Sequence, residues 1–442
     1  MTAIVTARSA LLPAAFAGLL LARPASAQTE AERIRILEEQ LKAQDARIAQ
    51  LERLLTDRSE ARASPAAAPT PPVAVAATPA VNAALPAPNA APPSVLSLAP
   101  PLPANALTVS GDLRLREEFN WSDADARDRT RTVLRARLRG TYTIHPHILL
   151  GAEIATGDPD DPNTTDVTLG EFDDDLNISL DQIFVRGTFG HLNVWGGKFP
   201  LPFRRTDLVW DGDVGAQGVG AIYSLPVGKA LIEAHGVYFI ISESTVGRGS
   251  DMLGGQITAS VPLGSAWQTE LAGAWYDYRL HGLEGADAGD YRGNLRNPDG
   301  SYMSDFKLAN ILGTIRYNGL GPRWPISLTG EYVHNFGAAT SGDSGYSFEL
   351  TAGRAAARGD WRFSYGYMMA EVDAVFAAFS HDNLSLSTNY RQHSLSIDHM
   401  LLPSTMLNMT YYRYRPEDPV YSGLNNPHDW LSRMRLNILF SF

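Results

Sequence analysis

Three observations predict an all-β chain, folded as a transmembrane antiparallel β-barrel of about sixteen strands. A short coiled-coil helix and a Pro/Ala-rich linker are expected ahead of the barrel. Strand-length segments alternate apolar and polar residues, their connections alternate between short and long, and the last strand is amphipathic and ends on Phe442.

The final strand carries the strongest signal. Met434, Leu436, Ile438, Phe440 and Phe442 share one face of an extended strand; Arg435, Asn437 and Ser441 share the other, with Leu439 the exception. An unpaired apolar edge strand invites aggregation. A barrel that pairs its last strand with its first has no such edge, and in a bilayer an apolar outside is correct. A terminal Phe after such a strand resembles the assembly signal of bacterial outer-membrane β-barrels. The alternative is the last core strand of a soluble sandwich.

The body, 107–442, repeats the pattern in segments of about ten residues. Leu253, Ile257 and Val261 alternate with Gln256, Thr258 and Ser260; Trp267, Leu271 and Trp275 alternate with Gln268 and Glu270. Tyr346, Phe348 and Leu350 alternate with Ser347 and Glu349; Trp361, Phe363 and Tyr365 alternate with Arg362 and Ser364. Each reads as apolar outside and polar inside. Tight connections fall at Pro146, Gly190, Gly228, Gly264, Gly359 and Pro403, and long ones at 158–177, 200–217, 280–304, 372–387 and 416–429. Short periplasmic turns and long external loops have this layout, and an even strand count puts both termini in the periplasm. Trp267, Trp275, Trp361, Trp430, Tyr346 and Phe442 fall near strand ends, where interfacial aromatics belong. Two segments break the pattern: 177–189 slips near Gln182, and 388–401 is mixed. Bulges or lumen-plugging contacts are expected in both.

Composition narrows the partners. Hydrophobic residues make up 44% and charged residues 19% of the 442 positions, and no apolar run reaches the ~20 residues of a spanning helix. A net charge of −11 and a pI near 5.4 argue against nucleic acid. Cysteine is absent, which suits passage through an oxidising periplasm. At the amino end, Arg8, the apolar stretch 10–22 and Ala25-Ser26-Ala27 have the three-part layout of a secretory signal. Residues 1–27 are therefore expected to be a signal peptide, and the location the cell outer membrane of a Gram-negative bacterium.

Residues 28–62 predict a periplasmic coiled-coil helix. Ile34, Leu37, Leu41, Gln44, Ile48, Leu51 and Leu55 are spaced 3, 4, 3, 4, 3, 4, a heptad seam with Gln44 as a polar register device. So short a seam is marginal alone and gains from partner copies; the alternative is one amphipathic helix lying on another surface. Residues 63–106, dominated by Ala and Pro, predict a disordered, extended spacer.

The body also resembles a family of proteobacterial outer-membrane proteins called putative porins and, more distantly, the phosphate-selective porins, which likewise can carry a heptad segment. The resemblance rests on Gly111-Asp112-Leu113-Arg114-Leu115-Arg116, the Arg-alternating second strand, Ala155-Thr156-Gly157-Asp158-Pro159 and Leu180-Asp181-Gln182. Gly196-Gly197-Lys198 with Pro202-Phe203, Trp210-Asp211-Gly212-Asp213 and Gly218 complete it. It implies a water-filled, trimeric diffusion channel, and carries no solute specificity.

The most unusual local pattern is Arg131, Val133, Arg135, Arg137 and Arg139 at every second position. Its apolar partners phase these arginines inward, and Arg114 and Arg116 share that face with Asp112 on the neighbouring strand. Each charge on the lipid side would cost roughly 2–4 kcal/mol near midplane. An arginine wall in a narrow aqueous bore lowers the entry barrier for anions. The candidate opposing acids are Asp181, Asp207, Asp211 and Asp213. If the 158–175 or 200–217 loop folds inward, they create a transverse field; the alternative is a solvated external loop. The acids of 158–175 are of calcium-ligand type but lack EF-hand spacing, so no metal or cofactor is expected. Hydrolase, zincin and P-loop motifs are absent, and nothing in the strand pattern pairs Ser394 or Ser396 with His393 and Asp398. The expectation is a passive channel for small hydrophilic, preferentially anionic solutes, a homotrimer in outer-membrane lipid and not an enzyme. The rival is a structural anchor whose helix and spacer bind peptidoglycan or a periplasmic partner.

Overall fold

In the computed structural model, the polar/apolar alternation closes into a ring. The structure describes residues 106–122, 128–170, 176–245, 247–281 and 293–442. The signal peptide, the heptad seam, the linker as far as residue 105 and the acids 171–175 lie outside the described residues.

Sixteen strands form the wall: β1 Leu107–Ser122, β2 Arg129–His145, β3 Ile148–Thr156, β5 Ile178–Phe189, β6 Leu192–Pro200, β7 Gly215–Val227, β8 Ala230–Ser242 and β9 Ser250–Leu263, followed by β10 Trp267–Arg279, β11 Lys307–Tyr317, β12 Ile326–Asn335, β13 Ser344–Gly353, β14 Trp361–Ala370, β15 Tyr390–Leu402, β16 Thr405–Pro416 and β17 Leu431–Ser441. β4, Val167–Thr168, is a two-residue piece beside β2. Every wall strand pairs antiparallel with its neighbours, and β1 pairs with both β2 and β17. The cylinder is closed, as expected. At the seam Gly111 and Phe442 exchange backbone hydrogen bonds of 3.0 and 3.1 Å. A Cβ on Gly111 would lie 2.4 Å from the Phe442 ring, so a glycine is what lets that ring lie over the first strand.

The outside is apolar. Leu253, Ile257, Leu271, Trp275, Phe348, Leu350 and Leu436 are exposed there, while Gln256, Thr258, Asn437 and Asp398 are buried inside. Leu439, out of pattern in the sequence, turns inward and packs with Met400 and Met406. The slip near Gln182 is a bulge: Glu153 pairs with Gln182 and Ile154 with Leu180, leaving Asp181 without a partner position. The mixed segment 388–401 has a partner skip at Leu401 and an inner face on which Tyr390, Gln392, Asp398 and Met400 are buried.

One expectation needs correcting: the inside is not polar throughout. Toward the long-loop end Phe239, Tyr276, Tyr278, Leu308, Tyr390 and Tyr414 point inward and are buried, because loops fold in against them. Toward the short-turn end, apart from the Met400, Met406 and Leu439 cluster, the inner face is largely polar and paired. Ser224 meets Glu233 at 3.1 Å, Thr314 meets Thr329 at 3.0 Å and Arg362 meets Asp398 at 2.6 Å.

The outward face of β9 supplies a test. Ile257→Arg is expected to destabilise the lipid-embedded protein by roughly 2–4 kcal/mol, read as a lowered denaturant midpoint in vesicles. An unshifted midpoint would mean that this face meets water.

Candidate pore lining

The register of three strands builds an ionic ladder on the inner wall. β1 and β2 pair so that Glu118 lies opposite Arg131, Arg114 opposite Arg135, and Asp112 opposite Arg137. β17 places Arg435 opposite Glu118 and Arg433 opposite Asn120. The alternation that drives apolar residues to lipid thus stacks charges of both signs inside.

Each expected arginine meets a carboxylate. Asp112 takes Arg135 at 3.2 Å, Arg137 at 3.1 Å and Arg139 at 2.9 Å. Arg139 also reaches Glu153 at 2.5 Å. Glu118, with no exposed surface, accepts from Arg131 at 2.8 Å and Arg435 at 2.7 Å, with Arg433 at 3.6 Å. Arg114 and Arg116 carry like charge two residues apart, and Asp166 from the 157–177 segment bridges them; its contact to Arg116 is 2.7 Å. Asp213 sits against Arg137 at 2.9 Å and Arg135 at 3.8 Å.

Of the four acids expected to oppose the arginines, only Asp213 touches the ladder, and it does so by direct contact rather than across a gap; the other three have different partners. Asp181, on the bulge, lies 3.6 Å from Lys198. Asp207 accepts from Asn383 at 3.2 Å, and the Asp211 backbone N–H donates to the Phe379 carbonyl at 2.8 Å. Sequence reasoning missed Glu118, Glu153, Arg433 and Arg435 as members of the ladder. Glu118 was detectable by parity, since it shares the face of Asp112, Arg114 and Arg116; Asp166 was among the acids of the 158–175 loop expected to face the arginines if that loop folded in, without a named partner.

Residues 201–214 and 371–389 fold inside the wall. Leu208-Val209-Trp210 and the run Val372 to Phe379 are too apolar for water, and nearly all of their side chains are buried. Trp210 stacks on Phe379 at 5.8 Å, and Phe379 on Phe239 at 5.1 Å. Asp373, the one acid in the run, is held by Ser304 at 2.6 Å and by the Leu295 N–H at 3.1 Å. Asn163 donates to the Ser380 carbonyl at 2.9 Å, tying residues 157–170 to the same assembly. The interior is divided: a packed apolar cluster that the loops build toward the long-loop end against β8 to β12 and β14 to β16, and an ionic sector along β17, β1, β2 and β3. A polar cavity of about 40 Å³ adjoins Thr156, Asp161, Thr165, Asp181, Lys198 and Asp213.

Charge state differs among the loop acids. Burial and the neighbouring carboxylates of Asp382 and Glu349 push Asp207 up to about 7. Burial acts the same way on Asp213, but Arg137, Arg135 and Arg114 outweigh it and hold that carboxyl below its usual range. His381, pressed down to about 3 by burial, is neutral, and its Nε2 faces Gln392 at 3.2 Å.

The Ser/His/Asp grouping falls apart geometrically. His393 lies on the outer face, against the Tyr365 hydroxyl at 2.9 Å. Asp398 lies on the inner face, holding Arg362 and, at 2.7 Å, Asn408.

The sequence profile of the family described as "Putative porin" matches residues 118–285, from within β1 to just past β10. No curated protein matches the chain. Among solved structures, the anion-selective porin from Comamonas acidovorans is 13% identical with a TM-score of 0.47, covering 76% of this chain and 100% of that one. OmpF of Salmonella typhi, in complex with daunomycin, is 11% identical with a TM-score of 0.47, covering 77% and 98%. The trimer form of OmpT, an outer membrane protein of Vibrio cholerae, is 10% identical with a TM-score of 0.46, covering 76% and 100%. The resemblance read from the residues is borne out: residues 118–285 carry the signature of the putative porins, within a closed wall of sixteen antiparallel strands.

Proposed function

We propose that this chain is an outer-membrane porin, a passive aqueous channel for small hydrophilic solutes with a preference for anions. The observation that carries the reading is the pairing of an apolar exterior with a charged interior on the same strands. Such a wall is stable only with lipid outside and water within.

The anion preference rests on a surplus. Eight arginines (114, 116, 131, 135, 137, 139, 433 and 435) share the ladder with five contacting carboxylates, Asp112, Glu118, Glu153, Asp166 and Asp213. Asp382 adds a sixth negative charge near Arg435, and the sector stays positive. In a narrow bore that balance sets the sign of the potential met by a permeant ion. The even strand count supports termini in the periplasm, and the heptad seam of 28–62 supports assembly of three copies. Catalysis has no part in this reading.

A second reading draws on the apolar sector. Loops that pack so much of the lumen favour a barrel closed as an anchor for the N-terminal helix. Single-channel recording separates the two, because the anchor stays silent at any voltage while the porin conducts.

In bilayers under a KCl gradient, Arg135→Ala with Arg137→Ala should lower the anion-to-cation permeability ratio by roughly two- to fivefold. Asp213→Asn should raise it. Equal reversal potentials in all three proteins would remove the ladder from selectivity.

Asp207 adds a pH dependence. Its carboxyl is neutral below about pH 7 and charged above it, so the anion preference is expected to rise as pH falls from 8 to 6. Asp207→Asn should hold the low-pH value throughout; a variant that still follows the wild-type curve would exonerate Asp207.

Deleting 28–62 should reduce the trimer fraction in detergent, measured by light scattering. A full trimer fraction would take the helix out of assembly.

A further inference from the structure

The tip of one inward loop sits between acid and base as a small ligand would. Arg433 and Arg435 stand two residues apart on β17, and both are buried. Each is fixed to the first strand through its Nε: Arg435 donates to Glu118 at 2.7 Å, and Arg433 to the Asn120 side-chain oxygen at 2.6 Å. Each then turns an Nη1 toward a single residue of the 371–389 loop. The Asn383 backbone carbonyl accepts from Arg433 at 2.7 Å, and the Asn383 side-chain oxygen accepts from Arg435. The amide nitrogen of the same side chain donates to Asp207 at 3.2 Å and to His381 Nδ1 at 3.2 Å. One residue thus offers two oxygens to a pair of guanidiniums and an N–H group to a carboxylate.

Asn383 supplies the shape of a ligand without its charge. Arg131, Arg433 and Arg435 share Glu118, and Asp382 adds one more negative charge near Arg435. An amide oxygen adds none. A carboxylate in its place would make charge-assisted bonds, shorter and stronger than those of an amide, and the planar arginine forks suit its two oxygens. An ammonium group in place of the amide nitrogen would meet Asp207 as an ion pair. The solute that carries both groups close together is an α-amino acid, whose nitrogen and carboxylate oxygens are one bond further apart than those of an amide. Asn383 is half-buried, and residues 380–386 belong to no helix or strand. Withdrawing that tip therefore breaks no sheet hydrogen bonds, while Phe376 and Phe379 keep the rest of the loop packed.

We propose that Arg433, Arg435 and Asp207 form a binding site for zwitterionic solutes of the α-amino-acid class, which Asn383 occupies until the solute displaces it. The inference rests on the porin reading and names a solute class for its bore. A seat that is filled by the protein's own side chain binds weakly, since its affinity is reduced by the fraction of time that it stands open.

The test uses the full chain, refolded in detergent at pH 8, above the range in which Asp207 takes up its proton. Binding of L-alanine, propionate and ethylamine is measured by saturation-transfer NMR. L-alanine should bind the wild type at least about threefold more tightly than propionate, which lacks the ammonium, or ethylamine, which lacks the carboxylate. Asn383→Ala empties the seat and should tighten L-alanine binding by roughly three- to tenfold. Asp207→Asn should bind L-alanine no better than propionate. Arg279→Ala, on the outer face beside Asp251, should behave as the wild type. Equal binding of L-alanine and propionate by the wild type would overturn the site, and this comparison decides even where a variant fails to fold. So would an Asn383→Ala protein that folds and binds L-alanine no more tightly. Conductance of the same proteins keeps the two proposals apart: a silent wild type that binds L-alanine defeats the porin reading alone, and a conducting one that is indifferent to L-alanine defeats only the site.

Discussion

The pairing of β1 with β17 is the constraint on which the rest depends. In lipid no strand edge can be left with open N–H and C=O groups, so the ring must close, and closure sets the register. Eleven residue pairs, from Asp112 opposite Ser441 to Ser122 opposite Leu431, run along that seam. A shift by one position would reverse one strand against the other and turn either Arg114 and Arg116 or Arg433 and Arg435 toward hydrocarbon. The same register sets Glu118 between Arg131 and Arg435, so closing the wall and neutralising the ladder are one event.

Inside, two demands compete for space. A sixteen-stranded cylinder encloses far more room than its own side chains fill. The apolar runs at 208–210 and 372–379 take up one side of that room, because burial against Phe239, Tyr276 and Tyr278 removes them from water. The ionic sector occupies the other side. The loops serve both sectors: Trp210 packs while Asp213, three residues on, reaches Arg137. Asp166 likewise relieves the repulsion between Arg114 and Arg116. The ladder is therefore not a bare basic wall but a nearly balanced one. In the porin reading, small changes in its charge act on a small net value.

Much of the wall was legible because alternation is a local signal. The slip near Gln182 marked the bulge at Asp181, and Leu439 was out of pattern because it turns inward to Met400 and Met406. The segment 388–401 read as mixed for a physical reason: its inner face meets packed loops at one end and Arg362 further down, while its outer face carries Arg391 and His393. The loop positions were not legible. Nothing near Asp166 in the chain says that Arg114, 52 residues earlier, is its partner. The exception is the 200–217 loop: that it folds inward was the expectation drawn from Trp210-Asp211-Gly212-Asp213, and Trp210 is buried in the interior. The inward course of the run from Val372 to Phe379 was not foreseen.

The sequence by itself determined what depends on neighbours one or two residues apart: strands, their inward and outward faces, the short and long connections, and the inward phase of the arginines. Only the tertiary structure decided which carboxylate meets which arginine, which loops enter the bore and how much of it they fill. Those choices rest on pairs separated by up to 321 residues, such as Arg116 with Asn437. A period of two cannot encode them, because they exist only once the sheet has closed on itself.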